Sequence, residues 1–114
     1  MLIKAKKSLG QNFLIDKNVI NKIVDTGNIK NTDVILEVGP GTGNLTKSIL
    51  KKKPKKIFVI EKDKNLANLL KKKFKDQITV INNDILKIAE NLIFDEELII
   101  FGNLPYNIST KILL

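Results

Sequence analysis

Asn103-Leu104-Pro105-Tyr106 is the segment of this sequence best suited to chemistry. It follows the apolar run Leu98-Ile99-Ile100-Phe101-Gly102, so a buried strand opens there into a loop carrying one amide, one proline and one aromatic ring. Such a set can hold a planar, amino-bearing base still while its nitrogen attacks an electrophile. The Tyr106 ring can stack on a base, and the Asn103 oxygen and a loop carbonyl can accept hydrogen bonds from an exocyclic amine. Pro105 stiffens the loop and drives Leu104 toward an extended backbone. Taken alone, the tetrapeptide also reads as a plain strand-to-helix turn, and the upstream segments must decide between the two.

Three further segments have the right character. Glu37-Val38-Gly39-Pro40-Gly41-Thr42-Gly43 closes one apolar run with a turn whose glycines, Gly39 and Gly41 among them, permit close backbone approach. The helix expected after it would present N–H groups to an anion. The spacing does not fit a dinucleotide fingerprint, because a single residue separates the second and third glycines. Glu61 closes the next apolar run and could accept hydrogen bonds from both hydroxyls of a ribose; the plainer reading is a solvated strand-end carboxylate. Asp84 closes the third and could accept from an adenine amino group, or simply cap the segment that starts at Ile85. Together the four segments describe a pocket for a nucleoside with a small anionic tail, opening toward the amide-proline-tyrosine loop.

The elements that must position these residues follow from periodicity. Asp16 reads as an N-cap, with Val19, Ile20, Ile23 and Val24 on one helical face and Gly27 as the stop. Short apolar runs at 34–38, 57–60, 78–81 and 98–101 predict four strands, the nearly continuous run at 34–38 being typical of burial on both faces. Leu45, Ile49 and Leu50 mark a helix running to Lys53 before Pro54, and Leu66, Leu69, Leu70 and Phe74 mark another. A short helix is expected over 85–92, and another from Ile108. Strands alternating with helices predict a single α/β domain: a Rossmann-like parallel sheet of four strands, with strand four at an edge. In such sheets ligands bind beyond the carboxyl ends of the strands, where all four polar segments fall. The apolar ending Ile112-Leu113-Leu114 carries no helix cap, so residues 1–114 read as the N-terminal part of a longer protein.

Composition narrows the chemistry. The 114 residues include neither cysteine nor histidine, which removes disulfides, thiolate sites, the commonest metal ligand and the commonest general base. No metal site is expected. There is no run long enough to span a membrane and no signal-peptide pattern, so a cytoplasmic protein without membrane partners is the default. The net charge is +8, all of the basic residues being lysine, with clusters at 4–7, 51–56 and 71–75. This suits a phosphate backbone, but the abundance of isoleucine and asparagine beside it equally suits an A- and T-rich genome that raises lysine everywhere.

Lys7-Ser8-Leu9-Gly10-Gln11-Asn12-Phe13-Leu14, the glycine turn, Glu61, Asp84 and Asn103-Leu104-Pro105-Tyr106-Asn107-Ile108-Ser109-Thr110 resemble the ribosomal RNA adenine N6,N6-dimethyltransferases. The branch they resemble most acts on small-subunit (16S) RNA and underlies kasugamycin sensitivity. The likeness covers essentially the whole chain, in the family's order and spacing. It implies an S-adenosylmethionine-dependent methyltransferase fold and a role in ribosome biogenesis, with ribosomal RNA or the small subunit as partner and a monomer as the full-length state. The resemblance further implies that Asn12 and Leu14 are N-terminal cofactor contacts and that Gly39 and Gly41 belong to the turn for the methionine moiety. Glu61 would bind the ribose and Asp84 the adenine. Asn103 would lie between cofactor and target amine, Leu104 would offer its backbone carbonyl, and Tyr106 would stack on the target base. Two positions depart from the pattern: Lys111 stands where proline is common, and Asn83 where glycine is common before the adenine-binding acid. The family's later strands and its small helical RNA-gripping domain lie outside this sequence. The related large-subunit (23S) RNA methyltransferases of macrolide resistance share the glycine turn and the asparagine-proline-aromatic loop, although Ser8-Leu9-Gly10 favours the small-subunit branch. A non-catalytic RNA-binding assembly factor would suit the lysines but would not need the nucleoside pocket.

Overall fold

The computed structural model describes residues 17–88, 97–102 and 112–113. In chain order the elements are α1 (Lys17–Thr26), β1 (Val34–Val38), α2 (Asn44–Lys51), β2 (Lys56–Ile60), α3 (Lys64–Phe74), a single 3-10 turn at Lys75–Gln77, β3 (Thr79–Ile81), α4 (Ile85–Ile88), β4 (Leu98–Phe101) and β5 (Ile112–Leu113). The five strands form one sheet in the order β3-β2-β1-β4-β5, and every pairing is parallel. Successive strands step outward from β1 to β3, and then the chain returns to the other side of β1 as β4. That reversal creates a crevice between the carboxyl ends of β1 and β4, the place where open parallel sheets bind ligands.

Alternation along the strands divides the core into two layers. Ile35, Ile57, Val59, Ile99 and Phe101 face one side and pack with Ile20 and Val24 of α1, Leu45 and Ile49 of α2, and Leu70 and Phe74 of α3. Val34, Leu36, Ile60, Leu98 and Ile100 face the other side, with Ile85 and Ile88 of α4 against them. Burial of both faces explains why β1 and β4 read as continuous apolar runs rather than as alternating ones, whereas β3, at the sheet edge, is exposed at Thr79 and only partly covered at Val80 and Ile81.

Local chemistry sets the helix ends. Asp63 caps α3, its Oδ1 accepting from Asn65 N at 2.8 Å and Leu66 N at 3.0 Å. Helix α2 stops at Lys51 rather than Lys53. Lys52 and Lys53 instead donate to Ile49 O and Leu50 O, and Lys53 turns left-handed (φ 54°) ahead of Pro54. The larger correction concerns the end of the chain. At Ile112–Leu113 the expected helix is replaced by β5, whose residues pair with Leu98 and Ile99, so β4 does not hold the expected edge; 108–111 lie outside the described residues. A strand there takes up backbone groups that an edge would expose. Asp16, the expected N-cap, and 89–92 of the expected helix after Asp84 lie outside the described residues.

Gly102 makes the crevice possible. It leaves β4 at φ +129°, and a Cβ placed there would lie 2.5 Å from Val38 O and 3.0 Å from Val38 Cβ. Both the backbone angle and the space therefore demand glycine where β4 passes the end of β1. Gly102→Ala is expected to lower the unfolding free energy by about 1–3 kcal/mol or more in urea titration, since a rigid neighbour must move as well.

Candidate active site at the carboxyl ends of the strands

The glycine turn leaves β1 at Val38 and enters α2 at Asn44. Gly39, Gly41 and Gly43 all have positive φ, at 67°, 60° and 92°. Two backbone bonds shape the turn: Gly39 N donates to Ile60 O at the end of β2 at 2.9 Å, and within the turn Gly43 N donates to Pro40 O at 3.0 Å. Gly43 sits where α2 begins, and no side chain caps that helix. A Cβ added at Gly43 would strike the Phe74 ring at 2.6 Å, so the turn rests on α3. At Gly39 and Gly41, by contrast, an added Cβ would meet nothing within 4 Å among the described residues. The turn thus packs inward at its end and faces open space at its start, which leaves room for a ligand against its backbone.

Glu61, directly after β2, is only 6% exposed and is not the solvated carboxylate of the plainer reading. Its Oε1 accepts from Gly41 N at 3.1 Å and its Oε2 from Asp63 N at 2.9 Å. The carboxylate therefore ties the glycine turn to the cap of α3. Each carboxylate oxygen has capacity for a second donor, so a pair of vicinal hydroxyls can still bind in bidentate fashion.

Asp84 follows β3. Its Oδ1 accepts from Leu86 N at 2.9 Å and its carbonyl accepts from Lys87 N and Ile88 N, so it does cap α4. Its Oδ2 keeps acceptor capacity, with Lys62 Nζ 3.7 Å away and largely in solvent. The asparagine that stands where glycine is common makes a local bond: Asn83 Oδ1 accepts from Asp84 N at 2.7 Å. Lys62, the residue after Glu61, thus reaches from the end of β2 toward Asp84.

Glu37 sits one residue before the end of β1, on the face of Ile35, and is 2% exposed. Thr46 of α2, fully buried, donates its hydroxyl to Glu37 Oε1. Burial pushes the carboxyl up to about 7; the Thr46 bond opposes that rise and the nearby Glu61 charge adds to it. Thr46 lies on the apolar face of its helix, and only the fold shows that it meets an acid.

The structure thus brings Gly39, Gly41, Glu61 and Asp84 to one end of the sheet. Asn12, Leu14, Asn103, Leu104 and Tyr106 lie outside the described residues. Two contributors were not singled out from sequence: Asp63, whose place before a helical stretch is a capping signal, and Thr46, which has no such signal. Among the described residues no group of three potential metal ligands occurs, and no helix is long and apolar enough to cross a membrane.

The Glu37 carboxyl links pH to stability. The folded state holds a proton on it up to about pH 7, whereas the unfolded chain releases it near the ordinary 4.5. The unfolded state therefore binds fewer protons between those values, and unfolding becomes easier as pH rises from 4.5 to 7. Glu37→Gln is expected to flatten this contribution when urea unfolding is followed across that range. Thr46→Val should cost about 1–3 kcal/mol, by leaving a buried oxygen without its donor.

Comparison with known proteins agrees with this geometry. Over 113 residues, 99% of this chain, the sequence is 64% identical to the ribosomal RNA small subunit methyltransferase A of Pelagibacter ubique. The chain spans 43% of that protein, less than half its length. Among solved structures, a dimethyladenosine transferase from Plasmodium falciparum matches with a TM-score of 0.67 at 30% identity, over 83% of this chain and 34% of that one. The 23S rRNA methyltransferase ErmE matches with a TM-score of 0.68 at 28% identity, over 84% of this chain and 38% of that one. The model of the ribosomal RNA adenine dimethylase family matches residues 2–114, and the chain belongs to that family.

Proposed function

We propose that this chain is the N-terminal, cofactor-binding part of a monomeric cytoplasmic enzyme that dimethylates adenine N6 in a loop of small-subunit ribosomal RNA. S-adenosylmethionine is the proposed donor. The observation that carries the proposal is the 64% identity to a small-subunit methyltransferase over nearly the whole chain, set against 28% for the large-subunit enzyme ErmE. The large-subunit enzyme ErmE fits the fold as well as the dimethyladenosine transferase does, so the choice of substrate rests on the 64% identity and not on shape.

The described residues suit the donor. The open backbone at Gly39 and Gly41 gives room for a methionine moiety, and the spare acceptor positions on Glu61 suit the two ribose hydroxyls. The Asp84 carboxylate offers an acceptor for an adenine amino group. When bound, S-adenosylmethionine supplies a methyl group activated by its attachment to a sulfonium.

The rest of the chemistry falls to the loop after β4. An adenine amino nitrogen is a poor nucleophile because its lone pair is delocalised into the ring. In the proposed mechanism the Asn103 oxygen and the Leu104 carbonyl accept its hydrogens, draw it toward tetrahedral geometry and free that lone pair. They also stabilise the positive charge that grows on nitrogen during attack. Tyr106 stacks on the unstacked base and holds it in line, and such alignment alone is worth about 7 kcal/mol in favourable cases. The proton released from nitrogen passes to solvent, so the lack of histidine is no obstacle. A second transfer requires the singly methylated amine to turn within the same pocket.

Full-length protein, labelled S-adenosylmethionine and separated ribosomal particles test this reading. Label is expected in small-subunit RNA; label confined to large-subunit RNA would support the alternative substrate. Particle binding without any transfer would support the assembly-factor reading. Asn103→Ala is expected to slow transfer at saturating substrates by about 100-fold or more, the scale of losing one positioned polar group, and an unchanged rate would refute its role.

A further inference from the structure

The junction of the strand ends contains a side chain that the proposed reaction leaves without a role. Asn82 is the first residue after β3. Its Nδ2 donates to Glu61 O at 2.8 Å and to Lys62 O at 3.2 Å. Those two carbonyls belong to the corner through which β2 passes into α3, beyond the last residues of the β2-β3 ladder. Glu61 N donates in turn to Ile81 O at 2.9 Å, so residues 61 and 62 are held to the end of β3 from both backbone directions.

The consequence reaches the carboxylates. The Glu61 side chain leaves from the corner that Asn82 clamps, and its two oxygens are aimed by Gly41 N and Asp63 N. The Lys62 side chain, from the same corner, reaches toward Asp84 Oδ2. Asn82 also stands two residues before Asp84 in the chain. One amide therefore fixes the origin of Glu61 relative to the strand that carries Asp84. A small displacement of the corner would move one acid and leave the other, changing the separation between two acceptors that must meet one rigid nucleoside.

We propose that Asn82 is a positioning residue that sets the spacing of Glu61 and Asp84, and so the affinity for the nucleoside part of S-adenosylmethionine. This rests on the cofactor reading above. Asn82 needs no contact with the ligand; it acts through Glu61.

The test is a double-mutant cycle in the full-length protein, with S-adenosylmethionine affinity measured by calorimetry and transfer measured in parallel. Asn82→Ala is expected to raise Kd and KM about tenfold while kcat at saturating donor changes less than about twofold, because only the binding geometry is disturbed. In a Glu61→Ala background the same substitution should cost less than about twofold, since its route of action is already gone. Asn82→Ser, which keeps one donor, should recover part of the loss and serves as the probe if the alanine variant does not fold. An unchanged Kd in Asn82→Ala, or an equal loss with and without Glu61, would overturn the inference while leaving the cofactor reading intact. Failure of the unsubstituted protein to bind S-adenosylmethionine would instead sink that reading and this inference with it.

Discussion

The arrangement depends on one carboxylate. Glu61 holds the N–H of Gly41 with one oxygen and the N–H of Asp63 with the other. Hydrogen bonds to a charged acceptor contribute about 1.5–3 kcal/mol each. Their value here is also geometric. The first bond fixes the glycine turn that follows β1, and the second fixes the start of α3, so a side chain at the end of β2 organises two neighbouring segments. The same group still has acceptor capacity for a diol. Under the proposed function this one side chain would combine structural support with ligand recognition, its acceptors already oriented by Gly41 N and Asp63 N.

The sheet supplies the platform for this. Parallel pairing of β1 with both β2 and β4 places the ends of three strands side by side, with β3 beyond β2. Glycine is required where the chain must bend tightly against a neighbour: Gly43 against the Phe74 ring, and Gly102 against the backbone of Val38. Beneath the turn, the buried Glu37 accepts the Thr46 hydroxyl, and burial raises its carboxyl to about 7, so it holds its proton well above the usual carboxylate range. A buried acid that can hold a proton avoids the desolvation penalty that a fixed charge would carry.

Much of this could be read along the chain. Buried strands at 34–38, 57–60 and 98–101 announce themselves because parallel strands covered on both faces carry continuous apolar runs. That Gly39, Gly41, Glu61 and Asp84 gather at one end is legible because a parallel sheet brings its carboxyl ends together. What escaped was of two kinds. The short strand Ile112–Leu113 reads as helix in the sequence, since two apolar residues carry no period and only a partner strand defines them. The contacts of Thr46 and Asn82 were invisible because they join residues far apart in sequence: Thr46 to Glu37, and Asn82 to the corner at Glu61 and Lys62.

By itself, then, the sequence determined the fold class, the family and the identity of the acids at the strand ends, because periodicity, glycine placement and residue type are local properties of the chain. Only the tertiary structure decided what those acids do before any ligand arrives. It buries Glu61 between two backbone donors, makes Asp84 both cap and open acceptor, and raises the Glu37 carboxyl by enclosing it. The reason is physical. Hydrogen-bond partners and dielectric surroundings come from segments that meet only after the strands have paired, and no spacing within one segment encodes them.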